Sequence, residues 1–177
     1  MYMENLLLKQ ITALTNKSNP LVSNLANAAA VLANYGNINW CGFYLVDGDS
    51  LYLGPFQGEP ACTVIQKGKG VCGKAFEEKK SVIVKNVKKF KGHIACSTMS
   101  RSEIVVPIIS GGEVKAVIDM DAPVINRFED KDREILEEIA GFLAKLFIKG
   151  NVKEHHKPED KNDPLSAIEK LKEDYDL

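Results

Sequence analysis

The chain has 177 residues, of which 45% are hydrophobic and 27% charged, a length and balance that suit one domain with an appendage and a real buried core. Twenty-three Lys and Arg stand against 24 Asp and Glu, which argues against nucleic acid or an acidic membrane surface as the main partner. No apolar run approaches the ~18 residues that span a bilayer, and "MYMENLLLKQ" lacks the basic region and length of a signal peptide, so a cytoplasmic protein is expected.

In chain order, "MENLLLKQITALT" carries apolar residues at helical spacing. "SNPLVSNLANAAAVLANYG" follows as a second helix, with Pro20 near its first turn and Gly36 just past its end. From Asn39 the period shortens: "NINWCGFYLV", the turn "DGDS" and "LYLGPF" predict a hairpin. "ACTVI" predicts another short strand, "GKGVCGKAFEEKK" a glycine-bounded loop running into a short helix, and "SVIV" a strand. A basic connection then leads through Lys91 to "EIVVPII", the Gly111-Gly112 turn and "EVKAVIDMDA", the clearest hairpin in the chain. "FEDKDREILEEIAGFLAKLF" is an amphipathic helix with Ile135, Leu136, Ile139, Phe142, Leu143, Leu146 and Phe147 on one stripe and acidic residues in its first turn. The order predicts α+β: a central antiparallel β-sheet with N- and C-terminal helices packed against it, over residues 1–148. Residues 149–177 read as a polar linker, including His155 and His156, with a possible short C-terminal helix from Pro164.

Four cysteines, at 41, 62, 72 and 96, contain no C-x-x-C spacing, so neither a zinc knuckle nor a thioredoxin-like motif is present. In a reducing compartment they serve packing or cycling thiol chemistry. Cys41, between Trp40 and Gly42 in an apolar strand, reads as packing. Cys62, Cys72 and Cys96 each lie beside a loop or turn signal. Cys72 has Lys69 and Lys74 nearby and a helix start, both of which favour thiolate; Cys96 has His93 three residues before it and Arg101 five after. Packing remains the alternative for all three.

The second constellation is acidic. Asp119 and Asp121, at i and i+2 in a strand, point to one face. Residues equidistant from the Gly111-Gly112 turn sum to about 223 on ideal hairpin pairing, which sets Glu103 opposite position 120 and diagonal to both aspartates. Carboxylates at the end of an apolar strand are costly to bury unless paired or used. The alternatives are a solvated Asp-x-Asp turn, or a Mg²⁺ site, for which no phosphate-cradling loop is present.

"NWCGFYL", "LGPFQGEPAC", "GKGVCGKA", "GHIACSTMSRSEIVVPI" and "VIDMDAP", in this order, resemble the free methionine-R-sulfoxide reductases, stand-alone GAF-domain enzymes that reduce the R epimer of free methionine sulfoxide. The resemblance runs from the first helices to about Phe147 and includes three cysteines at the family's spacing. It implies a GAF-like catalytic domain with Cys96 as the attacking thiol and Cys62 and Cys72 as the resolving or relay pair, whereas the cationic neighbours alone favour Cys72. It implies further that Glu103, Asp119 and Asp121 polarise the sulfoxide and hold the amino acid, and that Trp40 and Tyr44 wall the thioether methyl. The implied chemistry forms a sulfenic acid and then a disulfide, recycled by an external dithiol of the thioredoxin kind, with no bound cofactor or metal and with a homodimer as the assembly. Two positions depart from the family's usual residues: Ser97, where Asp is common, and Ala122, where Ser is common. A non-catalytic GAF sensor of a small molecule, or a redox switch, is the competing expectation; the stand-alone length favours the enzyme.

Overall fold

A computed structural model describes the backbone of residues 2–94 and 99–147 and the side chains of residues 6–94 and 99–147. Cys96 and Ser97 lie outside the described residues, as do the expected linker and helix of residues 149–177 with His155, His156 and Pro164.

Helices α1 (Tyr2–Leu14) and α2 (Leu21–Leu32) come first. Pro20 flanks the start of α2 at φ −53°, where the missing N–H costs nothing, and Gly36 takes φ +68° beyond its end. Strands β1 (Trp40–Asp47) and β2 (Ser50–Gln57) form the first hairpin, with Gly48 at φ +57° in its turn. Strand β3 (Val64–Gln66) starts later than the "ACTVI" pattern suggests, because pairing with β2 begins only where the Leu53 N–H donates to the Thr63 carbonyl, at 2.9 Å. Then come α3 (Gly70–Glu78), β4 (Val82–Val84), β5 (Ser102–Ser110), β6 (Glu113–Ala122) and α4 (Asp130–Leu143). A short 3₁₀ turn follows α4. None of the described helices is long and apolar enough to cross a membrane.

The six strands make one antiparallel sheet in the order β3-β2-β1-β6-β5-β4. Both faces of its centre are covered, which explains why β5 and β6 read as almost continuous apolar runs instead of alternating ones. On one face Phe43, Ile104, Val106, Ile108, Ala116, Ile118 and Met120 pack against α1, α2 and α4. Cys41 is buried in that cluster, as its apolar neighbours predict. The stripe of α4 supplies Ile135, Leu136, Ile139 and Leu143 from the other side, and the 3₁₀ turn after it supplies Leu146. On the opposite face Trp40, Tyr44, Leu51, Val105 and Val117 pack beneath α3. The helices thus divide three to one across the sheet, and the sparsely covered face is the one that carries polar groups.

The β5–β6 hairpin departs from the expected register. Ser110 pairs with Glu113 and Ile109 with Val114, but Ile108 pairs with Ala116, so Lys115 is the extra residue of a bulge. Beyond it Glu103 pairs with Asp121, not with position 120. Directly opposed residues share a face, and a slip of one residue exchanges faces. Ideal pairing would have put Glu103 among the apolar residues around Met120. The bulge brings it to the same side as both aspartates.

Candidate active site

Two rows of side chains cross the sparsely covered face. Trp40 on β1 pairs with Asp121 on β6, which pairs with Glu103 on β5, which pairs with Val84 on β4. In the next row Gly42 pairs with Asp119 and Asp119 with Val105. Gly42 is required by packing: a Cβ there would stand 2.6 Å from the far edge of the Trp40 indole and 2.5 Å from the Phe56 Cβ. Its absence lets Trp40 lie flat, stacked on Phe56 with centroids 5.4 Å apart and on Tyr44 at 6.0 Å. The Trp40 Nε1–H donates to the Glu59 carbonyl at 3.0 Å, and the Tyr44 hydroxyl donates to the Cys62 carbonyl at 3.0 Å. These two aromatics therefore anchor the loop that carries Cys62.

Helix α3 lowers its first turn onto the carboxylates. The Gly68 N–H donates to the Gly73 carbonyl (2.9 Å) and the Lys69 N–H to the Gln66 carbonyl (3.0 Å), which ties the helix start to β3. A Cβ at Gly73 would stand 2.4 Å from the Gln66 carbonyl oxygen, a backbone atom with no rotamer to escape into. Gly73→Ala is therefore expected to destabilise the fold by about 2–4 kcal/mol, the range of other severe overpacking and backbone defects. Urea unfolding checks it, with a lowered midpoint at unchanged slope as the expected result.

Cys72 sits in that first turn as a free, buried thiol. The expectation that its lysine neighbours favour thiolate does not hold. Lys74 turns away to Glu78 (3.9 Å) and lies over the Phe90 ring (5.8 Å). The groups that reach the sulfur are carboxyls. Burial first, then Asp119 and Glu103, push its pKa well up, so it is held as the thiol.

Cys72, Glu103 and Asp119 bring one sulfur and two carboxylate oxygens within 4.8 Å of one another. All three carboxyls are raised from their ordinary values. Burial is the largest cause for each; Asp121 adds to the shift of Glu103, and Glu103 and Asp121 add to that of Asp119. Asp121, at the rim, is pushed up to about 6 by burial and eased back by a hydrogen bond from Ser100 and by the His93 ring. Burial and mutual repulsion thus favour the proton-bearing forms of Glu103 and Asp119, with Asp121 the group beside them that ionises more readily. Among the described residues, the buried Asp119 Oδ1 has no hydrogen-bond partner.

The remaining walls come from Lys69, Gly70, Val71, Ile65 and the segment through His93 and Ile94. His93 Nε2 lies 3.2 Å from Glu103 Oε2. Burial pushes the imidazole pKa down while that of Glu103 goes up, so this contact is a hydrogen bond between neutral groups and not an ion pair. The cleft is partly open to solvent, and its water-accessible interior is about 30 Å³, room for roughly one or two waters.

Of the residues singled out from sequence, Cys72, Glu103, Asp119 and Asp121 line one cavity. Trp40 and Tyr44 stand beside it, in the rows just described, but are not in its wall. Cys62 is half-buried in the loop before β3 and is disulfide-bonded. The attacking role expected of Cys96 falls outside those residues too. Ser100 and Asn39 were not singled out: the Asn39 amide donates to the buried Ser100 hydroxyl at 3.2 Å, and Ser100 in turn bonds Asp121. Neither has a periodic signal, and 61 residues separate them.

An antiparallel sheet with a polar patch on its thinly covered face is the architecture of a GAF domain, and residues 21–147 match the GAF domain family, to which the chain belongs. GAF domain-containing protein A of Dictyostelium discoideum is 47% identical over 77% of this chain and 87% of its own length. Free methionine-R-sulfoxide reductase of Escherichia coli is 40% identical over 78% of this chain and 84% of its own. The X-ray structure of free methionine-R-sulfoxide reductase from Neisseria meningitidis in complex with its substrate superposes with a TM-score of 0.78, at 43% identity over 82% of this chain and 89% of that one. Within the GAF domains, the chain belongs to the free methionine-R-sulfoxide reductase family.

Proposed function

We propose that this protein reduces free L-methionine-R-sulfoxide to methionine by cysteine chemistry, with Cys96 as nucleophile. The observation that carries the reading is the buried Glu103–Asp119–Asp121 cluster, which combines proton-bearing carboxyls with a carboxylate in one small polar cavity. A sulfoxide oxygen leaves readily only when protonated or strongly hydrogen-bonded. Asp119, kept neutral and with Oδ1 unpartnered, is the group to supply that proton. Asp121, ionised near neutral pH, and Glu103 are suited to the substrate ammonium.

In the proposed sequence the Cys96 sulfur attacks the sulfoxide sulfur and takes its oxygen. Methionine leaves as the thioether, reduced by two electrons, and Cys96 is left as sulfenic acid, oxidised by two. Cys62 condenses with the sulfenic acid, releasing water and forming a disulfide, and an external dithiol reduces it. A disulfide at Cys62 supports this assignment of the resolving thiol. Cys72, buried and protonated among carboxyls, fits a hydrogen-bonding or relay role better than attack. The substrate enters this partly open cleft against His93 and Ile94, which line it. A thioredoxin-like reductant, the absence of a bound cofactor, a cytoplasmic location and a homodimer belong to the same proposal.

The test is the reduced protein with dithiothreitol and both epimers of free methionine sulfoxide, read by chiral amino-acid analysis. Disappearance of the R epimer alone, lost in Cys96→Ser, is the expected result. Persistence of both epimers sinks the reading and leaves a GAF sensor whose carboxyls bind another amine.

A further inference from the structure

We infer that the Cys72–Glu103–Asp119 cluster is also a binding site for a thiophilic divalent cation, Zn²⁺ by chemistry, and that occupancy blocks the sulfoxide. Two independent observations point there. The sulfur and two carboxylate oxygens converge within 4.8 Å. Separately, Asp119 lines the cavity and is only 7% exposed, and among the described residues its buried Oδ1 has no hydrogen-bond partner.

The donor set selects the metal. Around a tetrahedral Zn²⁺, sulfur at ~2.3 Å and oxygens at ~2.0 Å stand roughly 3.3–3.6 Å apart. Side-chain adjustments of about an ångström bring the cluster to that spacing. A thiolate in the set disfavours Mg²⁺ and Ca²⁺, which take oxygen shells of six or more ligands. Three protein ligands leave a fourth position, which faces the small cavity and has room for a water. His93 Nε2, 3.2 Å from Glu103 Oε2, supplies the hydrogen bond that orients that carboxylate from outside. Of the two lysines that flank Cys72 in sequence, Lys74 is engaged by Glu78 and Lys69 lines the same cavity. The cation would sit where the proposed function puts sulfoxide and ammonium, so the competition rests on that reading while the metal binding does not.

The probe is Co²⁺, added to full-length protein under a phosphine reductant, in a His155→Ala/His156→Ala background that removes the adjacent imidazoles of the tail. One Co²⁺ per chain with a thiolate-to-cobalt charge-transfer band, displaced by Zn²⁺, is expected. Cys72→Ser should abolish the band, and Asp119→Asn, which keeps the thiol, should weaken Co²⁺ binding at least tenfold. Free methionine-R-sulfoxide should shift the cobalt titration to higher concentration. No band, or a band unchanged in both variants, overturns the site. Simultaneous independent binding of Co²⁺ and sulfoxide overturns the competition. If the protein binds no sulfoxide yet shows the band, the catalytic reading fails and the metal site stands.

Discussion

Asp119→Asn should leave a protein that is nearly inactive yet more resistant to unfolding at alkaline pH. The two effects share one cause. In the folded chain burial is the main reason that the Asp119 carboxyl resists ionisation, and Glu103 and Asp121 add like-charge repulsion. A carboxyl with a raised folded pKa contributes its full stability below its unfolded value, ~3.9, and loses it as pH rises through the folded value. Wild type therefore carries a penalty at pH 8 that the neutral amide does not. The variant's advantage should be on the order of 1–3 kcal/mol at pH 8, or about 2–4 °C in Tm per kcal/mol, and should shrink toward pH 4. Asp121→Asn should show the same trend, with most of its change falling between about pH 4, the unfolded carboxyl's range, and about pH 6, where its own carboxyl titrates in the folded chain. Loss of a proton donor lowers rates by typically ~10²–10⁴, and kcat for sulfoxide reduction should fall within that range. Thermal melts of both variants from pH 4 to 9, with steady-state rates alongside, check the pair of effects. A variant that melts below wild type at pH 8 would show that the carboxylate is better solvated or paired than its surroundings indicate.

Such a penalty is consistent with a site shaped by use, and it also marks how far the sequence could be read. The α+β plan, the second helix and the β5–β6 hairpin were legible because apolar spacing and glycine turns are local signals. Asp119 and Asp121 sharing a face followed from period two alone. The placement of Glu103 did not, since it depends on a bulge at Lys115 that no composition rule announces. Cys72 was misjudged for a related reason: its sequence neighbours are lysines, but its spatial neighbours arrive from strands more than 30 residues on. Ser100 and Asn39 act through a single long-range contact and left no pattern to find.

Cys62→Ser should separate the first turnover from those that follow. Mixed in reduced form with excess sulfoxide and no reductant, it should release about one methionine per chain, because attack and oxygen transfer need only the nucleophile and the carboxyls. The sulfenic acid then has no partner thiol, so steady-state turnover with a thioredoxin-like dithiol should drop at least a hundredfold. Dithiothreitol, small enough to reach a sulfenic acid directly, should restore part of the rate. A dimedone adduct on Cys96, read by mass spectrometry, locates the oxidised sulfur. Cys72→Ser supplies the contrast. Its thiol is buried and held protonated, while the disulfide in the structure engages Cys62 and leaves Cys72 free. Recycling through a Cys62 disulfide should therefore survive in this variant, with any loss appearing in the first turnover through the altered contact to Asp119. Should Cys72→Ser abolish the first methionine while Cys96→Ser retains it, attack belongs to Cys72, and its burial would have to be relieved when substrate binds. Should Cys62→Ser instead turn over normally with the dithiol, resolution runs through Cys72, and the bond at Cys62 is structural.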